Sequence, residues 1–221
     1  IAWSLAGHTA TFSNEIDVAF APAISTAYGE GNRDFGQRLA FQCSKFGTAI
    51  IAIVALPLVI EMPKVLQIWL DVPPPQTTGI CSLMCLSFIA LKIGMGHHYA
   101  ILAMGNNKIL QLSTFCSYLL MIPFAWLCTR LGLGILSVGI AFLVFSTLLA
   151  AIKILIARRL VGLSIRKWLK TVFIPIVIAS CSASFITILW QLILPPTLIR
   201  VLLSAFTFAI IFSLIFWAIA L

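Results

Sequence analysis

Ionisable side chains inside long apolar stretches are the residues of this sequence best suited to do chemistry. Lys92 lies between Leu91 and Ile93 in one such stretch, and Glu15 and Asp17 lie in another. Charged groups are costly in a bilayer and usually face a partner or a water-filled cavity, where they serve substrate or ion binding. We therefore expect Lys92 to attract an anionic group or to pair with Glu15 or Asp17. The two carboxylates are candidates for binding a cation, a proton or a polar substrate.

A polar face runs along the first apolar stretch. It is formed by Ser4, His8, Thr11 and Glu15, with Asn14 and Asp17 at its borders. Because the first four residues are spaced by four, three and four positions, they share one side of a helix. This pattern favours a helix that lines a water-filled cavity. The alternative is an external loop at the start of the chain, with the membrane span beginning near Ile16.

The histidines and cysteines do not have the spacing of a metal site. His97 and His98 are adjacent, and adjacent side chains on a helix diverge by about 100°. The six cysteines lack a Cys-x-x-Cys spacing and are interpreted as small apolar core residues. The sequence also lacks a phosphate-binding glycine loop, a His-Glu-x-x-His motif and a nucleophilic triad. We therefore predict no metal, no cofactor and no enzymatic activity.

Seven apolar stretches must position these residues. They cover residues 2–28, 39–60, 79–103, 108–129, 133–157, 171–193 and 198–221. Hydrophobic residues make up 62% of the chain and charged residues 9%, with a mean hydropathy of +1.12. A helix of about 20 apolar residues crosses the hydrocarbon core, and long runs without polar–apolar alternation exclude a β-barrel. The predicted fold is therefore all-α, a polytopic transmembrane bundle of about seven spans.

The basic residues predict how the bundle is oriented. Lys and Arg are concentrated in the gaps 29–38, 104–108 and 153–170. The positive-inside rule places these gaps in the cytoplasm, with the N-terminal end outside and the C-terminus inside. The net charge of +8 is explained by this bias and by attraction to anionic lipid, without a nucleic-acid partner. Within the last gap, Ala157–Lys170 is predicted to form a short interfacial helix, with Leu163 and Trp168 toward the acyl chains.

The order of short signals in the loops resembles that of a transporter family. In chain order the signals are Pro22-Ala-Ile-Ser25, Gly29-Glu-Gly-Asn32, Lys45, Pro57, Ile68-Trp-Leu-Asp71, Leu102-Ala-Met-Gly-Asn-Asn-Lys108 and Arg130-Leu-Gly-Leu-Gly134. This order resembles the C-terminal half of the polysaccharide flippases, the O-antigen type of the multidrug/oligosaccharidyl-lipid/polysaccharide exporter superfamily. The resemblance covers nearly the whole chain and rests on the order and spacing of short motifs.

The resemblance implies an architecture. Members of that family have two six-helix bundles that form a V around a central cavity, and many add two C-terminal helices. Residues 1–157 would be five spans of the second bundle, 158–170 a basic cytoplasmic linker and 171–221 the extra helix pair. The chain starts at Ile1 rather than Met and within a predicted helix, so we expect it to be a fragment that lacks an N-terminal part.

The resemblance also implies a function. Such a protein moves an undecaprenyl-pyrophosphate-linked sugar unit across the bacterial cytoplasmic membrane by alternating access, for the biosynthesis of surface polysaccharide. Lys92, Lys45 and Arg38 are then candidates for binding the diphosphate, and Glu15 and Asp17 for coupling to a proton or sodium gradient. Besides the lipid-linked oligosaccharide and membrane lipids, a polysaccharide polymerase and other assembly proteins are candidate partners.

Several alternatives stay open from the sequence. Within the same superfamily they are a cation-coupled multidrug exporter and a lipid II flippase, although a lysine in the cavity is unfavourable for cationic drugs. A membrane-embedded glycosyltransferase or polymerase would need a large external loop with catalytic residues, whereas the longest external gap is 61–78. A purely structural membrane subunit would need neither Lys92 nor the polar face of the first stretch.

Overall fold

The structure, a computed structural model, describes residues 2–220. Within that range the chain is helical and contains no strand. The helices are α1 (Ala2–Gly29), α2 (Arg33–Ile60), α3 (Met62–Leu70), α4 (Thr77–Lys92), α5 (Met95–Ala103), α6 (Asn107–Cys128), α7 (Leu136–Leu160), α8 (Ile165–Trp168), α9 (Ile174–Ile193) and α10 (Leu198–Ala220). Two π-helical turns, Thr129–Leu133 and Leu169–Phe173, extend α6 and join α8 to α9. The all-α prediction is therefore confirmed.

Several of these helices are long and apolar enough to cross a membrane, which indicates a multi-pass membrane protein. In the described part of the chain there are five, Arg33–Ile60, Asn107–Leu133, Leu136–Leu160, Ile165–Ile193 and Leu198–Ile219, or six if α4 and α5 form one bent span. The sequence predicts seven. The difference is α1, which is 28 residues long but less apolar because it carries the polar face described above.

The predicted span 79–103 is two helices rather than one. α4 ends at Lys92, α5 begins at Met95, and their axes differ by 42°. Gly96 then allows α5 to lie directly on α2, because a Cβ at this position would be 2.0 Å from the carbonyl oxygen of Ala40. The break between the two helices places Lys92 at a helix end.

The segment predicted as one interfacial helix has a different structure. α7 continues to Leu160, the chain turns at Gly162 with φ of 74°, and α8 begins at Ile165 with Ser164 as its N-cap. Leu163 and Trp168 are buried in the core instead of pointing outward. The prediction of an interfacial helix over Ala157–Lys170 is therefore wrong, because the apolar residues of this segment pack against the bundle.

The second helix is the centre of the bundle. α2 packs against α1, α4, α5, α9 and α10, so the core is built around it. The C-terminal pair joins this core through Phe208, Phe212 and Phe216 of α10, which belong to the same buried cluster as Ala49 and Ala52 of α2. On the other flank α7 packs against α4 and α6.

One end of the bundle gathers most of the positive charge. At this end lie the connections from α1 to α2, from α5 to α6 and from α7 to α8. Gln37 Nε2 donates a hydrogen bond of 2.5 Å to the carbonyl of Val161, which joins the start of α2 to the connection from α7 to α8. We call this end of the bundle the basic end, and its cations are Arg33, Arg38, Lys108, Arg158, Arg159, Arg166, Lys167 and Lys170. Its position agrees with the gaps that the sequence predicts to be cytoplasmic, while the membrane's identity and the orientation stay predictions.

Candidate functional site

A buried ion pair joins the first helix to the broken span. Lys92 Nζ, at the end of α4, donates to Asp17 Oδ2 on α1, and it also donates a hydrogen bond of 2.7 Å to Asn14 Oδ1. The Lys92 and Asp17 side chains are each only 7% exposed. Of the two partners that the sequence offers for Lys92, the structure therefore selects Asp17.

Asp17 is held in place by contacts between α1 and α2. Its second oxygen, Oδ1, lies 3.7 Å from Cys43 Sγ, which donates a weak hydrogen bond. One turn earlier on α1, the Ser13 hydroxyl donates to the carbonyl oxygen of Gly47 at 2.7 Å. These contacts fix the carboxylate, so Lys92 meets an acceptor whose position does not depend on Lys92 itself.

The ion pair borders a cavity of about 540 Å³ that α1, α4, α5, α6 and α7 enclose. Its polar lining includes Asn14, Asp17, Lys92, His98, Tyr118 and Lys153. Apolar side chains such as Val18, Phe88 and Leu91 form other parts of the wall. The cavity thus offers both charged and apolar surface, as a binding site for an amphipathic molecule requires.

The cavity lies near the middle of the predicted span. Lys92 closes a helix of 16 residues, and α5 follows with nine residues. At about 1.5 Å per residue, Lys92 is roughly 24 Å from one end of this bent pair and roughly 17 Å from the other. The ion pair is therefore far from both predicted membrane surfaces, which excludes simple snorkelling of Lys92 to an interface.

Lys153 is a second cation in the same cavity. It was not predicted as a site residue, because it lies where the predicted span 133–157 overlaps the basic gap 153–170. It is buried on α7, two turns before the end of that helix, and its Nζ lies 4.0 Å from Met95 Sδ. Apolar residues continue on both sides of it, from Ile152 to Ala157, and this pattern could have identified it as a residue within a span. Among the described lining residues, two lysines face one aspartate, so the cavity carries excess positive charge.

The other predicted site residues do not join this cavity. Glu15 is exposed on α1 and does not line the cavity, and neither do Ser4, His8 and Thr11 of the polar face. Arg38 and Lys45 line a separate pocket of about 220 Å³ with Lys167, near the basic end. There Lys45 Nζ lies 5.5 Å from the centre of the Phe46 ring. The structure thus brings Lys92 together with Asp17, and Arg38 together with Lys45, at two different places.

The two adjacent histidines point in different directions. His97 Nδ1 lies 3.2 Å from the Ser44 hydroxyl, and its ring contacts the Phe41 ring edge to face at 5.0 Å between centroids. His98 lines the cavity beside Tyr99. In the part of the chain that the structure describes, no group of three or more His, Cys, Asp or Glu side chains is placed to hold a metal ion.

A second buried ion pair lies at the opposite end of the bundle. Glu61, between α2 and α3, accepts hydrogen bonds from Arg200 Nη2 at 2.7 Å and Arg200 Nε at 3.2 Å. Ser204 donates to its other oxygen at 3.1 Å, and Arg200 Nη1 donates to the carbonyl of Leu194 at 3.3 Å. The pair ties α10 to the α2–α3 junction. The sequence does not predict this pair, because Glu61 lies in the predicted gap 61–78 and Arg200 lies at the start of the predicted span 198–221.

No protein-family model, curated protein or solved structure matches this chain. The function is therefore argued from the geometry of the site.

Proposed function

We propose that this protein transports an anionic amphiphile across the membrane, and that its substrate is a lipid-linked sugar diphosphate. The observation that carries the proposal is the cavity of about 540 Å³ with Lys92 and Lys153 in its wall near the middle of the span. A diphosphate head group needs cations and water, whereas its polyprenyl tail can stay in lipid. Two lysines against one carboxylate provide that excess of positive charge.

Lys92 is the residue that we assign to the diphosphate, with Lys153 as its helper. A charge-assisted hydrogen bond from a buried lysine to a phosphate oxygen contributes about 1.5–3 kcal/mol. Lys153 Nζ lies against a methionine sulfur, a weak acceptor, so an incoming phosphate offers it a better partner. Arg38 and Lys45, in their own pocket near the basic end, are candidates for an earlier contact with the head group.

Asp17 is the residue that we assign to ion coupling. The carboxylate and the diphosphate compete for the Lys92 ammonium group, so a proton or a sodium ion on Asp17 would free Lys92 for the substrate. Because linkage is reciprocal, substrate on Lys92 would in turn favour cation binding at Asp17. Glu15 lies on the exposed side of α1 and has no part in this exchange, which narrows the two carboxylates proposed from the sequence to one.

The path for the lipid tail is the gap between α1 and α6. These two helices have no extensive packing with each other, and the cavity separates them. Exposed apolar side chains at the margin, including Val18 and Tyr118, would contact the tail while the head group passes inside. We further propose that the basic end faces the bacterial cytoplasm and that the exposed polar face of α1 borders the cleft to a second bundle.

Binding of undecaprenyl diphosphate tests this proposal. The affinity of a fluorescent undecaprenyl diphosphate is measured for the protein in liposomes, with uncharged undecaprenol as the matched ligand. Lys153→Gln should weaken diphosphate binding about tenfold and leave undecaprenol unchanged, because one charge-assisted hydrogen bond is lost. Lys108→Gln removes an exposed lysine at the basic end and should bind like the wild type.

A lipophilic cation provides the competing outcome. If the protein is a multidrug exporter, tetraphenylphosphonium should bind in the same cavity, and Lys153→Gln should strengthen that binding by removing a like charge. That result, or equal diphosphate affinities for Lys153→Gln and Lys108→Gln, would overturn the assignment of an anionic substrate.

A further inference from the structure

An apolar groove lies on the outside of the bundle, beyond the transport cavity. It has a volume of about 380 Å³ and is formed by the outer faces of α4, α7 and α8 with the π-helical turn after α8. The side chains that define it here are Ala151, Leu155, Ile165, Trp168 and Phe173. None of these residues lines the cavity that contains Lys92, so the groove is a separate feature.

One face of α7 connects this groove to a pair of arginines. Thr147, Ala151 and Leu155 follow one another at intervals of four residues, and Arg158 and Arg159 come three and four residues after Leu155. Leu155 lines both the apolar groove and an adjoining pocket of about 430 Å³ whose other lining residues are Arg158 and Arg159. Both arginines are exposed at the basic end. The apolar surface of the groove therefore ends beside two positively charged side chains.

The length of this face matches one leaflet of a bilayer. From Thr147 to Arg158 the helix rises about 16 Å, since each residue contributes roughly 1.5 Å. Half of a typical hydrocarbon core is about 15 Å. An acyl chain lying in the groove would thus bring a lipid head group to the level of the two arginines.

Trp168 provides a polar group within the groove. Its side chain is 8% exposed and lines the groove, stacked on Phe173 with 5.9 Å between ring centroids. Its indole Nε1, which can only donate, has no hydrogen-bond partner among the described residues. Buried donors nearly always have partners, and a rotation of the indole toward the groove would let an ester or phosphate oxygen of a lipid supply one.

We propose that this groove is a binding site for one anionic phospholipid. An acyl chain lies along Ala151 and Leu155, the phosphate contacts Arg158 and Arg159, and Trp168 donates to an oxygen near the glycerol. The charge of the arginines selects an anionic lipid over a zwitterionic one, because each basic residue adds attraction to a net negative head group. This inference does not depend on the transport proposal, since it uses none of the cavity residues.

Native mass spectrometry of the purified protein tests the site. The protein is titrated in detergent with phosphatidylglycerol and, separately, with phosphatidylcholine of the same acyl chains. The wild type should retain one phosphatidylglycerol in preference to phosphatidylcholine. Replacing both arginines, Arg158→Gln with Arg159→Gln, should lower phosphatidylglycerol retention about tenfold or more. The matched control is Arg166→Gln with Lys170→Gln, which removes the same charge from exposed positions outside the groove and should retain the lipid.

A second variant tests the apolar part of the site without changing its charge. Ala151→Phe fills the groove from the exposed face of α7, where the larger side chain has room outside the core, and it should abolish retention of both lipids. Equal retention of the two lipids by the wild type would overturn the proposal. So would equal losses in the two charge variants, or normal phosphatidylglycerol retention by Ala151→Phe.

Discussion

Two buried ion pairs among the described residues, Glu61–Arg200 and Asp17–Lys92, differ in how completely their polar atoms are hydrogen-bonded. Arg200 donates twice to Glu61 and once to the Leu194 carbonyl, and Ser204 occupies the remaining carboxylate oxygen. Lys92 donates to Asp17 and Asn14 at the wall of a cavity. The first pair therefore closes a helix junction. The second pair borders a cavity, and we propose that Lys92 exchanges its partner there for a ligand.

The choice of cation fits this difference. The arginine guanidinium has a rigid fork that matches a carboxylate in two hydrogen bonds, as Glu61 and Arg200 show. The lysine ammonium is a compact charge on a flexible stem and adapts more easily to a new acceptor. An arginine at a fixed junction and a lysine beside a cavity are each suited to their place.

The largest predicted effect is the loss of stability when the Glu61–Arg200 pair is broken. Arg200→Met leaves Glu61 buried, at 1% exposure, without its cation, and should lower the free energy of unfolding by about 3–5 kcal/mol. Lys92→Met should cost clearly less, because water in the cavity can solvate Asp17. Denaturant unfolding of both variants in the same detergent measures the difference. Equal losses of unfolding free energy in the two variants would contradict the proposed difference between the Glu61–Arg200 and Asp17–Lys92 pairs.

The next effect concerns ligand binding at the Asp17–Lys92 pair. Lys92→Gln should weaken undecaprenyl diphosphate binding about 10- to 100-fold, because a charge-assisted hydrogen bond of about 1.5–3 kcal/mol is lost. Arg200→Met, measured on its folded fraction, should keep the affinity of the wild type. A titration of fluorescent undecaprenyl diphosphate with both variants makes this comparison. If Arg200→Met loses as much affinity as Lys92→Gln, the Lys92 cavity is not the specific site.

A smaller effect of opposite sign is expected at the carboxylate. Asp17→Asn removes the group that competes with the diphosphate for Lys92, while the amide still fills the same space. The affinity for undecaprenyl diphosphate should therefore rise several-fold, and its dependence on pH or sodium should disappear. A decrease in affinity, with the ion dependence retained, would show that Asp17 does not act as the competitor.

The smallest effect is predicted for the other carboxylate of α1. Glu15 is exposed and lies outside the cavity, so Glu15→Gln should change the free energy of unfolding by less than about 0.5 kcal/mol. Diphosphate affinity and its ion dependence should stay at wild-type values. A loss of ion dependence in Glu15→Gln, measured in the same titration, would move the coupling site to the exposed face of α1.

Local composition was enough to predict the helical class and the pairing of Lys92 with a carboxylate of the first stretch. Long apolar runs can only be helices in lipid, and a lysine in the middle of such a run needs a partner. Lys153 was missed because it opens a basic gap in the one-dimensional pattern, although α7 continues past it to Leu160. The break after Lys92 was not predicted either, since glycines such as Gly94 and Gly96 are common inside membrane helices.

The Glu61–Arg200 pair could not be predicted from the sequence, and the reason is different. Glu61 and Arg200 are 139 residues apart. Glu61 lies in the predicted gap 61–78, and Arg200 lies at the start of the predicted span 198–221. The local sequence pattern contains no information on which helix ends lie together, because their positions depend on how α9 and α10 pack against α2. The separation of Lys92 from Arg38 and Lys45 has the same origin, since it depends on which face of α2 each neighbouring helix covers.

Photo-crosslinking with a substrate analogue identifies the place where the diphosphate binds. The protein is illuminated with an undecaprenyl diphosphate analogue that carries a photoreactive group next to the diphosphate, and the modified peptides are identified by mass spectrometry. We expect adducts on the segments around Lys92 and Lys153, reduced by excess unlabelled undecaprenyl diphosphate and not by undecaprenol. Competable adducts confined to the Arg38 and Lys45 pocket, with none around Lys92 or Lys153, would contradict this expectation.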